Sequence, residues 1–206
     1  MGINFSNLTK ISGLTKPIGY SASEIKLDLS SRQMKPSEVL EQCIANIDLY
    51  EKHVGAWASI NTDSARELAR ELDDKNPSGA LFGMPFGIKD NIDAFDMSTA
   101  YGTDIYLGYR PSRDAACVAG MRASNGIALG KTICTEFAHR HPGKTANPWN
   151  IEHTPGGSSS GSAAAVASGM VPIAIGTQTT GSVIRPAAYC GVIGYKPSYG
   201  DLNISG

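Results

Sequence analysis

Two glycine-rich turns and one lysine carry the residue types best suited to chemistry in this chain. The run Gly156-Gly157-Ser158-Ser159-Ser160-Gly161-Ser162-Ala163-Ala164 sets hydroxyls between glycines and leads into alanines. Glycine opens backbone conformations closed to other residues, and small side chains let a helix approach its neighbours closely. The run therefore reads as a loop entering a helix whose first amides face the loop. A second turn, Gly176-Thr177-Gln178-Thr179-Thr180-Gly181-Ser182, follows after one short apolar stretch. Two such turns so close together suggest a site made of backbone amides and serine hydroxyls. Ser182 is a candidate nucleophile, because the turn before it can aim several N–H groups at a developing oxyanion. Such donors are often the main source of stabilisation in acyl transfer. The alternative is that Ser182 caps the following turn, and the alternative for Ser158 to Ser160 is a helix N-cap with spare hydroxyls.

Lys89 ends the apolar stretch Phe86-Gly87-Ile88 and precedes Asp90 and Asn91. An ammonium at a buried strand end is costly to desolvate, and burial lowers lysine pKa until the amine can act as a base. The competing reading pairs Lys89 with Asp90 or Asp93. His139, His141 and His153 have no acidic or cysteine neighbours at a metal-ligand spacing, and structural or surface roles are expected for them. The glycine–serine run lacks the spacing and the lysine of a phosphate-binding loop.

These residues need elements to position them. Ser37, following Pro36, is expected to cap a helix running to about Glu51, with Val39, Leu40, Cys43, Ile44 and Ile47 on one face. A second amphipathic helix is expected from Asp63 to Asp74, and residues 56–60 between the two read as a short strand. Residues 74–79 are rich in turn formers. Beyond them, strands are expected at 86–89, 127–131 and 171–175, and helices at 115–124 and 161–168. Pro172 places the last strand at an edge or makes the proline its start. Strands alternating with helices give an α/β layer architecture around a largely parallel sheet. The expected organisation is a helical segment over residues 1–75 and an α/β core over 76–206.

At 206 residues the chain can bury one good core, and a net charge of −1 supplies no field for nucleic acid or an anionic membrane. Cys43, Cys117, Cys134 and Cys190 are far apart and fit a reducing compartment better than a disulfide framework or a zinc site. No apolar run is long enough to span a bilayer, and the N-terminus lacks the pattern of a signal peptide. Met1-Gly2 with Ser6 is a loose match to a myristoylation pattern, too short to carry a reading. A cytoplasmic protein is expected.

Taken together, the pieces resemble the amidase signature family. Gly83-Met84-Pro85-Phe86-Gly87-Ile88-Lys89-Asp90 looks like its lysine strand, Thr154 through Ala163 like its glycine–serine loop, and Gly176 through Pro186 like its nucleophile turn. Smaller blocks also fit: Gly130-Lys131-Thr132, Thr135-Glu136-Phe137, Asn147-Pro148-Trp149, and Cys190 through Ser198. The resemblance implies the family's fold, a mixed, largely parallel sheet covered by helices. It also implies a Ser–Ser–Lys triad. Lys89 matches the catalytic lysine, Ser158 the bridging serine that follows a cis peptide bond, and Ser182 the nucleophile. Neutral Lys89 would take a proton from Ser158, and Ser158 one from Ser182, as Ser182 attacks an amide carbonyl and forms an acyl-enzyme. Backbone amides of Thr179, Thr180, Gly181 and Ser182 would hold the oxyanion, and water would then release the acid. No metal or organic cofactor is implied, and the substrate class is a small-molecule amide.

Three departures qualify the resemblance. Gln178 stands where many members have an acid, and Thr180 where many have glycine. Arg185 comes three residues after Ser182 rather than two. These changes imply a poor match to the glutaminase chain of the transamidosome and a better one to free-standing bacterial-type amidases and ureide-like amide hydrolases. Members of the family are also usually about twice as long. The expectation is therefore a fold incomplete at its C-terminus: a fragment, a cleaved chain, or half of an assembly completed by a second polypeptide, with a compact amidase as the lesser alternative and a homo-oligomer as a further partnership. The alternative function is a catalytically incomplete chain acting as an interaction module.

Overall fold

The computed structural model of the protein describes residues 21–206. The Met1–Ser6 stretch lies outside them. A four-stranded mixed sheet organises the molecule in the order β1-β3-β2-β4. The two inner strands, β2 (Pro85–Lys89) and β3 (Ile127–Thr132), are parallel and buried at every position. The outer strand β4 (Ile173–Ile175) runs parallel to β2, and β1 (Trp57–Ile60) runs antiparallel to β3. The sheet is thus mixed and largely parallel. Continuous apolar runs with no polar alternation mark strands covered on both faces, and β2 and β3 have that character. The last strand begins at Ile173 rather than Val171, because Pro172 has no N–H to give to the ladder.

Helices cover the sheet. α1 (Ala22–Ser30) opens with a capping box, in which the Ser21 N–H donates to Glu24 at 2.6 Å and the Glu24 N–H to Ser21 Oγ at 3.3 Å. α2 (Pro36–Val54) buries Val39, Leu40, Cys43, Ile44 and Ile47 on one face, as the spacing predicts. Its start differs from expectation. Lys35 is the N-cap, and Ser37 donates its N–H and its hydroxyl to Asp73 at 2.9 and 2.6 Å, tying the start of α2 to the end of α3 (Thr62–Asp73). Pro36 supplies the fixed φ of a first helical position, so the helix begins one residue before the serine. α2 also runs beyond Glu51, until Gly55 in the left-handed region ends it.

The main apolar core joins α2 and α3 to β1, β3 and the alanines of α5 (Ser160–Ala167). A second core lies around Phe86, Ile88, Ala128 and Val118 of α4 (Ala116–Ala123). A short last helix, α6 (Ile184–Cys190), packs beside α5. The carboxyl ends of β2, β3 and β4 point the same way, and ligands of open α/β sheets bind outside such ends.

Candidate active site

Lys89 is the last residue of β2, and it is 0% exposed. Its Nζ lies 2.7 Å from Ser158 Oγ and donates to Thr177 Oγ1 at 2.8 Å. Burial pushes its pKa down from 10.5 to about 8, against a smaller opposing influence from Cys134. The reading that paired it with an adjacent acid is overturned. Asp90 instead faces Lys131 of β3, 3.7 Å away, and accepts the N–H groups of Ala100 and Gly102. Successive side chains of a strand point to opposite faces, so Asp90 leaves the side on which Lys89 lies. Lys131 is fully buried too and donates to Ile92 O and Thr99 Oγ1, both at 2.7 Å. Two neighbouring buried lysines therefore differ: among the described residues one has a carboxylate, and the other has only hydroxyl and carbonyl oxygens.

Ser158 enters from the loop before α5, and the Gly157–Ser158 peptide bond is cis. Several contacts hold this loop. The Ser158 carbonyl accepts the Thr135 N–H at 3.1 Å, and the Ser159 N–H donates to Ser182 O at 3.1 Å. Arg185 donates through Nε and Nη2 to Gly157 O at 2.9 and 2.6 Å. Arg185 thus clamps the serine loop to α6, a role its sequence position left open. The small residues explain the close fit. A Cβ on Gly161 would run into Ala56 O, and one on Gly176 would come within 2.6 Å of Ser159 Oγ. A run of hydroxyls reinforces the join: Thr132 and Ser162 meet at 2.7 Å, and Ser162 donates to Ile175 O at 3.1 Å.

Ser182 lies in the turn between β4 and α6, with its carbonyl held by Ser159. Among the described residues its hydroxyl has no hydrogen-bond partner, so the structure joins Lys89 to Ser158 and leaves Ser182 beside that pair, linked through the backbone alone. The amides of Thr179, Thr180, Gly181 and Ser182 likewise meet no acceptor among the described residues. Gln178 shapes this turn. Its Oε1 accepts the N–H groups of Val183 and Ile184 at 2.8 and 2.9 Å, a task that asks for an acceptor rather than a charge. A glutamine where other chains have an acid is compatible with that geometry.

The sequence reading missed Thr177, Asn91 and Lys131. Thr177 stands in the second turn, and its place two residues beyond β4, level with the end of β2, was the available signal. Asn91 follows the Lys89-Asp90 pair directly, and Lys131 repeats the pattern of a lysine late in an apolar strand. His139, His141 and His153 are exposed on loops. Among the described residues no group of three or more histidine, cysteine or acidic side chains is placed to hold a metal ion.

An open α/β sheet whose parallel strands deliver a buried lysine, a serine loop and a glycine-rich turn to one edge is a recognisable class of architecture. The family model described as Amidase matches residues 38–206, and the chain belongs to that family. It is 40% identical over 195 residues to a glutamyl-tRNA(Gln) amidotransferase subunit of a Geobacillus species, covering 89% of this chain and 40% of that protein. The corresponding protein of Macrococcus caseolyticus is 39% identical over 181 residues, covering 85% of this chain and 38% of that one. The expected poor match to this kind of protein is thereby corrected: the departures at Gln178, Thr180 and Arg185 are local and leave the similarity of the remaining chain intact. Among solved structures, the native peptide amidase of Stenotrophomonas maltophilia superposes with a TM-score of 0.83 at 32% identity, covering 91% of this chain and 42% of that one. The chain thus spans about two fifths of the length of the curated relatives it matches.

Proposed function

We propose that this chain carries the acylation machinery of an amide hydrolase. Ser182 is the nucleophile, Ser158 the proton relay and Lys89 the base. The observation that carries this reading is the buried Lys89 at 2.7 Å from Ser158 Oγ, with no carboxylate paired to it among the described residues. Lysine is useful as a base only when neutral, and burial brings the neutral form within reach from about pH 8 upward instead of 10.5. As Ser182 Oγ attacks the amide carbonyl, its proton passes to Ser158 and the Ser158 proton to Lys89. The relay then returns a proton to the departing amine or ammonia. The amides of Thr179 to Ser182 are the donors for the oxyanion. Water hydrolyses the acyl-enzyme by the same relay. The relay needs Ser182 Oγ to turn toward Ser158 once substrate occupies the turn; catalytic hydrogen bonds often tighten only in the substrate complex.

The substrate proposed is a small-molecule amide. A second reading has its own support: identity to amidotransferase subunits, at 39% and 40%, exceeds that to the peptide amidase, at 32%. In that reading the same acylation releases ammonia from glutamine within a multi-chain assembly. Intact-mass analysis after treatment with a fluorophosphonate tests the shared chemistry. One adduct is expected, absent in Ser182→Ala; labelling that persists in Ser182→Ala overturns the assignment of the nucleophile. Ammonia release from glutamine, compared with release from peptide amides, then separates the two readings.

A further inference from the structure

Thr177 Oγ1 lies 2.8 Å from Lys89 Nζ, 3.0 Å from Asn91 Nδ2 and 3.4 Å from Asn91 Oδ1. A threonine hydroxyl has one proton and two acceptor lobes. A neutral lysine has two N–H donors and one lone pair. Its neighbours are Ser158 Oγ at 2.7 Å, Thr177 Oγ1 and, at 3.4 Å, Thr177 O. Two arrangements give both lysine protons an acceptor and the lone pair a hydroxyl proton. If the Thr177 proton points at Lys89, it occupies the lysine lone pair. Ser158 then meets an N–H, and its own proton has no base to go to. If the Thr177 proton points at Asn91 Oδ1, Thr177 accepts from Lys89. The two lysine protons go to Thr177 Oγ1 and Thr177 O, and the lone pair is left facing Ser158. The Asn91 carboxamide presents both ends to the hydroxyl: Oδ1 takes the proton and Nδ2–H fills the second lobe.

We propose that Asn91 is a positioning residue that fixes the Thr177 hydroxyl as an acceptor toward Lys89, so that the lysine lone pair is directed at Ser158. The proposal rests on the reading of Lys89 as the base. Asn91 acts through Thr177 and touches neither Ser158 nor Ser182. The other titratable groups around Lys89 leave this rotor alone. Burial pushes the Cys134 thiol up to about 11, and Asp90 faces Lys131, on which Asp93 also acts; none of these groups has a hydrogen bond to the Thr177 hydroxyl.

The test is the titration of Lys89 in the full chain, followed by NMR on lysine labelled with carbon-13 at Cε and assigned by the resonance lost in Lys89→Met. In Asn91→Leu the freed Thr177 proton donates to the neutral amine. Hydrogen bonding to the neutral form disfavours the charged one, so the Lys89 midpoint falls by about half a unit to one unit. In Thr177→Val the route is gone, and adding Asn91→Leu moves the midpoint no further. Asn91→Asp keeps the acceptor and adds an anion, so the midpoint rises and fluorophosphonate labelling persists above the raised value. A midpoint in Asn91→Leu equal to wild type overturns the proposal, as does the same shift in the Thr177→Val background. An Asn91→Asp midpoint that stays put also overturns it. Failure of wild type to label at Ser182 would instead overturn the proposed function, and the titration would still decide the role of Asn91.

Discussion

Lys89, the proposed base, is buried at the expense of stability. Below about pH 8 the folded protein must hold a buried ammonium, whereas the unfolded chain holds it in water with an ordinary pKa of 10.5. Between those values the unfolded state binds more protons, so stability rises with pH across that window, and the full cost is present below it. The cost is on the order of 3 kcal/mol. Two hydrogen bonds of about 1 kcal/mol each offset part of it. Lys89→Met is therefore expected to be more stable than wild type by about 1 kcal/mol near pH 6. Urea denaturation across the pH range should show that advantage shrinking and then reversing as pH rises. The same variant should lose labelling at Ser182. In wild type the labelling rate should climb with a midpoint near pH 8, because only the neutral amine can take the Ser158 proton. A flat profile across that range would count against Lys89 as the base.

At the scale of elements, the site depends on how closely α5 sits against the sheet ends. The Gly161 N–H donates to Ile133 O at 2.9 Å, and the missing Cβ leaves room for Ala56 O. Both obstacles to a larger residue are backbone, which cannot rotate away. Gly161→Ala is accordingly expected to cost about 3 kcal/mol, read as a lower midpoint in urea, and to displace Ser158 from Lys89. Helix propensity alone predicts the opposite sign, since alanine favours a helix interior over glycine by up to about 1 kcal/mol. The measured sign thus decides whether packing or propensity governs the start of α5. Helices α2 and α3 could be read from their apolar period because each presents one face to the core. The swap of caps from Ser37 to Lys35 was not legible, because the partner of Ser37 is Asp73, on another helix.

At the scale of the whole molecule, the C-terminal stretch presents apolar side chains to solvent: Ile193 is 98% exposed, Tyr199 92% and Ile204 81%. Among the described residues β4 is hydrogen-bonded on one side only, to β2. Exposed large apolar side chains and an open sheet edge both favour association. Sedimentation velocity is expected to show concentration-dependent self-association. The double variant Ile193→Asp, Tyr199→Asp should weaken it with the thermal midpoint nearly unchanged, since substitutions at exposed positions usually stay within about 0.5 kcal/mol. A monomer at every concentration would contradict this. No helix among the described residues is long and apolar enough to cross a membrane.

By itself, the sequence determined the elements and singled out the residues of the candidate site. Glycine spacing, apolar period and the order lysine, serine loop, glycine–threonine turn all act over a few neighbours. They placed β2, β3, α2 and α5 within a few residues and drew attention to Lys89, Ser158 and Ser182. What the chain could not declare was partnership across distance. Whether Lys89 faced a carboxylate or a hydroxyl depended on which side of β2 it left and on what β3 and β4 brought beside it. Asp90 went to Lys131, Thr177 came to Lys89, and Arg185 reached Gly157, each from a different strand, turn or helix. Local sequence sets dihedral preferences and patterning, whereas the pKa of a buried amine is set by everything within hydrogen-bonding reach, and only the folded sheet assembles those neighbours.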